Sequence, residues 1–170
     1  MAWTAPLVWT TGRVVTASDL NAYVSANDTH LYGSIATFTP TLNQSGAVAC
    51  TTATGRYRYV GNNVYLHCFL DPSAVGGGAT AITIGAIPAA VAPRVSAATI
   101  YASTADVDQG TATHFDSGTA GYPLKVFFAS SSTLTFTAND TTGGGIHSVT
   151  IAVADSFNLN ILYEPLTASA

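Results

Sequence analysis

From Phe38 onward the chain consists of short runs of Thr, Val, Ala, Ile and aromatic residues, separated by Gly, Pro and Asn. Runs of this composition, bounded by turn-forming residues, are typical of β-strands. About eight to ten of them follow one another at roughly regular spacing, which favours an antiparallel β-sandwich or jelly roll. The sequence therefore predicts a mainly β head over residues 38–170, and this pattern limits the fold more than any other.

Two hairpins are the clearest local predictions within the head. The first joins strands at 56–60 and 64–70 through Gly61-Asn62-Asn63. Alternation places Tyr57 and Tyr59 on one side of the first strand and Arg56 and Arg58 on the other. The second joins strands at 124–128 and 133–137. We also expect a linker at 37–41, a two-proline crossing at 87–93, and strands at 81–84, 95–101, 111–115, 147–153 and 157–163.

Residues 1–15 contain both tryptophans and are predicted to form an extended docking arm. Pro6 and Gly12 interrupt any helix, and so short a segment cannot bury its own large apolar side chains. We expect these side chains to contact another chain; the alternative is that the arm lies on its own head. The candidate docking residues are Trp3, Leu7, Val8, Trp9, Val14 and Val15.

A single helix is predicted next, within a neck of residues 16–35. Thr16-Ala17-Ser18-Asp19 carries side chains that cap free N–H groups at a helix start. A narrow apolar seam with one polar member follows, at the spacing of a coiled coil: Leu20, Val24, Asn27 and Leu31. A helix of about two heptads is too short to associate alone, so we expect a trimer-forming neck that the heads help to hold. The alternative is an ordinary amphipathic helix packed on its own domain.

Composition excludes several classes of protein. Charged residues make up only 8% of the chain, far below the roughly 25% of ordinary domains, so we expect surface to be buried against other chains. A net charge of -4 gives no basic field for nucleic acid. We find neither an apolar run of the roughly 18 residues that span a bilayer nor the features of a signal peptide, so membrane insertion is not expected. Cys50 and Cys68 are expected to be free core thiols, with pairing across adjacent strands as the alternative.

The arm and helix start carry a pattern that resembles a known family. The stretch from Trp9 to Val24 reads Trp-x-x-Gly-x-Val-Val-Thr-Ala-x-x-Leu-Asn-x-x-Val. It is similar to the N-termini of small virion proteins of tailed bacteriophages, notably those infecting actinobacteria, described as minor tail, tail-fibre or head-fibre proteins. The resemblance implies a homotrimeric virion component and leaves tail or capsid open. The chain departs from the family after Val24, where Ser25-Ala26-Asn27-Asp28 replaces the frequent Arg-Asp-Asn.

The search for catalytic chemistry yields no site. Asp106, Asp108, His114 and Asp116 form the densest polar cluster, but their spacing matches no metal-binding loop. Glu164 is the only glutamate, and no Gly-x-Ser-x-Gly elbow is present. We therefore predict no catalytic residue, no metal and no cofactor. The remaining candidates are contacts to a receptor or glycan, for which aromatic faces and turn carboxylates are suited: Tyr101, Tyr122, Asp106 and Asp108.

Taken together, the sequence predicts a non-enzymatic virion structural protein that is assembled in the host cytoplasm. Its expected partners are itself, as a homotrimer, other virion proteins through residues 1–15, and a host cell-surface glycan through the head. Host attachment as a tail fibre or minor tail protein is the leading hypothesis. The alternative is a capsid decoration protein or head fibre that stabilises the shell, and a glycan-degrading virion enzyme is a third class.

Overall fold

The computed structural model describes Gly12, Val14 and residues 16–21, 33–78, 80–93, 110–117, 120–138 and 149–165. Within these ranges most of the chain is β-structure, which confirms the mainly β fold. The elements are α1 (Ala17–Leu20), β1 (Ala36–Phe38), β2 (Thr41–Asn43), β3 (Ala47–Val48), β4 (Cys50–Val60), β5 (Asn63–Pro72), β6 (Thr83–Gly85), a 3₁₀ helix (Ala89–Val91), β7 (Gly110–Asp116), β8 (Ala120–Ser130), β9 (Thr133–Ala138) and β10 (Ser156–Tyr163).

The described strands form one antiparallel sheet in the order β1-β4-β5-β10-β7-β8-β9-β6-β2-β3. Only Thr39 and Pro40 separate β1 from β2, and only Ala49 separates β3 from β4, although each pair lies toward opposite ends of this order. Such short connections require the sheet to curl until its two ends approach each other. The antiparallel β head is therefore confirmed as a curled sheet, and its jelly-roll connectivity stays a prediction.

The core lies inside the curled sheet because alternate side chains of each long strand point inward. Strands β5 and β10 read as strictly alternating buried and more exposed positions. Aromatic rings from strands that are not neighbours in the sheet meet inside it: Phe128 on β8 contacts Tyr163 on β10 edge-on at 4.9 Å between centroids, and Phe136 on β9 lies 6.2 Å from Phe157 on β10. The other side of β5 and β10 is left facing outward.

Both predicted hairpins are confirmed. Strands β4 and β5 pair from Val60↔Asn63 back to Cys50↔Pro72, with a bulge at the far end. Gly61 stands in the tight turn with a φ of 60°, a conformation that glycine adopts without strain. As predicted, Tyr57 and Tyr59 pack against the core while Arg56 and Arg58 lie on the opposite side of β4. Strands β8 and β9 form the second hairpin.

The predicted linker at 37–41 is wrong. Residues on both sides of Pro40 belong to the sheet, since β1 pairs with β4 and β2 pairs with β6. The Phe38 ring covers Gly55 on β4, where a Cβ atom would collide with the ring. The absence of a side chain at Gly55 therefore makes room for this ring and keeps β1 on the sheet.

The predicted strand at 147–153 is also wrong over its described part, 149–153. This segment makes no strand pairing and is held instead by the side chain of Gln44. The Gln44 Nε2 atom donates to the carbonyl of Val149 at 2.8 Å, and its Oε1 atom accepts from the N–H of Ile151 at 2.9 Å. The predicted strand at 95–101 lies outside the described residues.

The predicted helix start at Thr16 is confirmed. Thr16 caps α1: its Oγ1 atom accepts from the N–H of Asp19, whose carboxylate accepts from the N–H of Thr16, each at 3.1 Å. This reciprocal capping box satisfies two N–H groups that a helix start leaves free. Leu20 is helical in its backbone, whereas Val24, Asn27 and Leu31 lie outside the described residues, so the trimer seam stays a prediction. Of the helical residues described, none belongs to a helix long and apolar enough to cross a membrane.

Candidate functional site

The structure reaches only part of the predicted sites. Val14 is the one docking residue of the arm that is described, and it is 79% exposed. Trp3, Leu7, Val8, Trp9 and Val15 lie outside the described residues, as do the candidate receptor contacts Tyr101, Asp106 and Asp108. Their roles stay predictions.

Tyr122 is the one predicted receptor contact that the structure describes. It lies on β8, is half-buried and packs against the core. The centroid of its ring is 5.7 Å from that of His114. Part of its surface is therefore committed to packing, and its role as a ligand contact stays a prediction.

A different set of side chains comes together on the outside of strands β4, β5 and β10. In the sheet register Arg56 stands opposite His67, and His67 stands opposite Asn160 on the next strand. One row further along, Arg58 stands opposite Tyr65. We call these five residues, Arg56, Arg58, Tyr65, His67 and Asn160, the outer polar face.

A shallow cleft lies over part of the outer polar face. Its volume is about 360 Å³, which is within the usual range for ligand sites. The residues that line it are Ile35, Arg56, Tyr57, Arg58, Tyr65 and His67. Ile35 is 61% exposed and places an apolar edge beside the charged groups. The cleft thus combines aromatic, apolar and cationic surface on a paired sheet.

Contacts within the outer polar face hold Tyr65, Asn160 and Arg58 without consuming all of their hydrogen-bonding capacity. The hydroxyl of Tyr65 donates to Oδ1 of Asn160 at 2.6 Å, so the amide nitrogen of Asn160 keeps two N–H groups for a ligand. The guanidinium carbon of Arg58 lies 5.8 Å from the centre of the Tyr65 ring, a cation–π distance. These contacts hold Tyr65 in place, and the residue remains 37% exposed.

On this side of the sheet, the charged residues near the outer polar face are cations. Arg56 and Arg58 lie on it, and so does Lys125, since β10, β7 and β8 continue the row through Asn160↔Thr111 and Thr111↔Lys125. These three are all the Lys and Arg residues in the described part of the chain. Among the described residues, no carboxylate forms an ion pair with Arg56 or Arg58.

The carboxylates of the described strands lie near the ends of their strands and not in this row. Asp71 is four residues beyond His67 on β5, and Asp116 is five residues beyond Thr111 on β7. Glu164 follows β10, four residues beyond Asn160. At about 3.3 Å per residue, each acid is roughly 13 Å or more along its strand from the row.

A second polar cluster, formed by His114 and Asp155, is buried, in contrast to the outer polar face. Both side chains are fully buried, and His114 Nε2 lies 3.1 Å from Oδ2 of Asp155. The Asp155 carboxylate also accepts from the backbone N–H groups of Ser117 and Ala152, each at 2.8 Å. The His114 ring stacks on Phe157 at 4.3 Å between centroids. We call His114 and Asp155 the buried polar cluster, and its contacts are internal to the fold.

The densest polar cluster of the sequence is therefore divided by the structure. His114 points into the core, whereas the neighbouring position Phe115 is 54% exposed and Asp116 is half-buried at the end of β7. Asp106 and Asp108 lie outside the described residues. In the portion of the chain that the structure covers, no three His, Cys, Asp or Glu side chains are grouped to hold a metal ion.

The two cysteines are free thiols, as expected. Burial raises the pKa of the Cys68 thiol to about 12. Burial, and then the negative charge of Asp71, raises the pKa of Cys50. A thiol with a raised pKa is a poor nucleophile at neutral pH, so neither cysteine is suited to catalysis.

Two tyrosines fasten the 3₁₀ segment to the sheet. The hydroxyl of Tyr59 donates to the carbonyl of Ala90 at 2.7 Å, and that of Tyr163 donates to the carbonyl of Val91 at 2.6 Å. Burial raises the pKa of both hydroxyls. These tyrosines serve the fold, which leaves Tyr65 as the aromatic residue of the outer polar face.

Sequence reasoning identified parts of the outer polar face but not the whole. The alternation of Arg56 and Arg58 with Tyr57 and Tyr59 was readable from local pattern. Asn160 was missed because it comes from the last strand and joins the face only through the β5–β10 register. The available signal was the alternation of Asn158 and Asn160 with apolar residues in β10, which predicts an outward polar side.

Comparison with known proteins gives two distant structural similarities. No protein-family model matches the chain, and no curated protein matches it significantly. The Dettilon tailspike protein is similar with a TM-score of 0.48 and 14% identity, over 77% of this chain and 23% of the tailspike chain. The C-terminal receptor-binding domain of the avian reovirus fibre sigmaC is similar with a TM-score of 0.46 and 12% identity, over 96% of this chain and 98% of that domain. Our chain thus spans less than a quarter of the length of the tailspike chain. At identities and TM-scores this low, neither similarity carries an argument about what this chain binds.

Proposed function

We propose that this chain is a non-enzymatic structural component of a bacteriophage particle whose β head attaches to the host surface. Residues 1–15 anchor it to other virion proteins, and residues 16–35 form the neck of a homotrimer. The arm pattern from Trp9 to Val24 supports the assignment to a particle, because it resembles the N-termini of small phage virion proteins.

The outer polar face is the single observation that carries attachment. Tyr65 presents a flat apolar ring of the kind on which a sugar ring packs, and its hydroxyl is held by Asn160. Arg56 and Arg58 present planar groups with several N–H donors each. Their backbones stand on paired strands, and Tyr65 and Arg58 are further held by contacts within the face, which reduces the entropy lost on binding.

A shallow site of this kind is expected to bind weakly by itself. In a trimer, three copies of the face act on one surface, and many trimers on one particle add further contacts. Linked weak sites give a combined affinity well above that of any one site, provided that their geometry permits simultaneous binding. Attachment through multivalency therefore requires only modest affinity from each head.

The experiment that tests this proposal is the copy number and position of the protein on the intact particle, by electron cryomicroscopy and quantitative mass spectrometry. We expect a few to tens of copies at the tail. If the protein is absent from purified particles, the proposal fails.

A capsid decoration protein or head fibre is the second candidate, favoured by the apolar arm with its two tryptophans. Such an arm can lace across capsid subunits and stabilise the shell by binding only the assembled state. Hundreds of copies on the shell would establish this role instead. In either case, a chain lacking residues 1–15 should remain a folded trimer and fail to incorporate. Normal incorporation of the truncated chain would show that the arm is not the anchor.

A further inference from the structure

We propose that the outer polar face binds an acidic polysaccharide, whose carboxylate or phosphate groups are held by Arg56 and Arg58. The inference rests on the proposed function, because it names the ligand of the same face.

The charge distribution is the first argument. The whole chain carries a net charge of -4, yet the three Lys and Arg residues of its described part all lie on one side of the sheet. Scattered surface cations would be expected to neutralise nearby acids. Here Arg56 and Arg58 lack a carboxylate partner among the described residues. The acids of β5 and β7 lie near the ends of those strands, away from the two arginines. An anionic ligand supplies the missing counter-charge.

The geometry of the two arginines is the second argument. They are two residues apart on the same side of β4, so their Cα atoms are roughly 7 Å apart. A guanidinium group binds a carboxylate or phosphate through two parallel N–H bonds. Two such groups at this separation suit two acidic groups of one chain, or one acidic group and a neighbouring hydroxyl. Tyr65 and the Asn160 amide lie on the adjacent strands to contact the sugar itself.

The extent of the face is the third argument, and it favours a polymer. From Arg56 to Lys125 the row crosses four strand intervals, through His67, Asn160 and Thr111. At about 4.8 Å per interval this is roughly 19 Å along the sheet, which suits an extended oligosaccharide better than a single sugar. Nucleic acid is disfavoured because its binding needs a broad basic field, whereas the described part of the chain holds three Lys and Arg residues and the whole chain has a net charge of -4.

The experiment is biolayer interferometry of the full-length trimer on immobilised polymers. The carboxylate polymer is polygalacturonate, the phosphate polymer is polyglycerol phosphate, and dextran and single-stranded DNA are the comparisons. We expect binding to at least one acidic glycan polymer, weakening as salt is raised, with none to dextran. Which of the two polymers binds identifies carboxylate or phosphate as the recognised group. Equal binding to dextran, stronger binding to DNA, or no binding to either acidic polymer would overturn the proposal.

Variants localise the site. Arg56→Gln combined with Arg58→Gln should weaken binding tenfold or more, because it removes the charge-assisted hydrogen bonds of both guanidinium groups. Lys125→Gln, three strands from His67, should weaken it about two- to threefold. Asp71→Asn is the matched charge control outside the row and should leave binding nearly unchanged. A loss for Lys125→Gln as large as that of the double arginine variant, or binding tightened severalfold by Asp71→Asn, would mean non-specific attraction and contradict a defined site.

Binding to host cells tests attachment and the acidic ligand separately. If the native trimer binds host cells and the double arginine variant binds them equally well, the acidic ligand is wrong while attachment stands. If the native trimer does not bind host cells, attachment itself is wrong. Unfolding curves of each variant confirm that the comparison is made between folded proteins.

Discussion

The buried polar cluster and the outer polar face use similar residue types for opposite purposes. Each contains a histidine on a strand and at least one charged partner. In the buried polar cluster, Asp155 accepts from two backbone N–H groups and lies beside His114, all within the fold. In the outer polar face, Arg56 and Arg58 face outward, and no described carboxylate pairs with them.

This difference in burial and pairing distinguishes structural from functional polar groups in such a head. A buried polar group must find its partners inside the protein, because leaving it without one is costly. An exposed group on a paired strand has no such need, and water or a ligand can serve it. The two regions should therefore respond to substitution in opposite ways, one in stability and the other in binding.

The largest effect is expected from Asp155→Ala. The change removes the acceptor of two N–H groups and the partner of buried His114, so we expect a loss of about 3–5 kcal/mol in the free energy of unfolding. Urea unfolding followed by circular dichroism measures it. Asp155→Asn keeps one acceptor oxygen and should fall in between, and half-buried Asp71→Ala is the control, with a loss within about 1 kcal/mol. A loss for Asp155→Ala no larger than that of the control would show that the cluster is not structural.

Gln44→Ala should give the next largest effect. Gln44 is 1% exposed and holds the segment 149–151 through hydrogen bonds to Val149 and Ile151. Removing it leaves a buried N–H without its acceptor, so we expect a loss of about 1–3 kcal/mol. Ser45→Ala, which removes an exposed hydrogen bond to Thr80, is the neighbouring control. Equal unfolding midpoints for the two variants would mean that the segment is held by something else.

The decrease in the free energy of unfolding at alkaline pH should depend in part on Cys68. Its pKa is raised to about 12 by burial, so the folded state keeps a proton that the unfolded state, with an ordinary thiol pKa, has already lost. The contribution is fully present below the ordinary thiol pKa and is lost as pH rises toward 12. The expected slope is about 1.4 kcal/mol per pH unit for this one group.

Unfolding in urea at several values of pH measures that slope. Cys68→Ala should be less stable at neutral pH because it leaves a small cavity, yet it should show a flatter decline above pH ~9. Tyr163, whose hydroxyl pKa is also raised by burial, will keep part of the decline. An identical slope in both proteins would contradict the burial of this thiol.

The smallest change in stability is expected on the outer polar face. Arg56→Gln combined with Arg58→Gln removes one exposed cation–π contact, so the free energy of unfolding should change by about 1 kcal/mol or less. A thermal or urea unfolding curve measures it. A loss similar to that of Asp155→Ala would mean that the outer polar face is structural, and it would contradict the distinction between the two regions.

Local chemistry was predictable from the sequence where neighbouring residues decide the structure. The capping box of Thr16 and Asp19 and the tight turn at Gly61 each depend on a few adjacent residues. Alternation likewise predicted the two sides of β4, with its arginines opposite its tyrosines. These features required no knowledge of the distant chain.

The features that could not be predicted depend on contacts between residues far apart in the chain. Val149, Ile151 and Val153 alternate as in a strand, yet Gln44, more than a hundred residues earlier, bonds the carbonyl of Val149 and the N–H of Ile151. Alternation with buried apolar residues places His67 outward, but beside His114 the apolar Phe115 is the exposed residue, so only the register of the curled sheet shows that His114 points inward. The three-residue strands on either side of Pro40 are too short to give a clear pattern.

Adsorption of particles to host cells in the presence of excess free protein tests attachment through the outer polar face. We predict that the native protein blocks adsorption, that Asp71→Asn blocks it equally well, and that the double arginine variant, whose stability changes little, does not. Equal blocking by the native protein and the double arginine variant would show that the outer polar face is not the contact. No blocking by the native protein would contradict a role for the head in attachment.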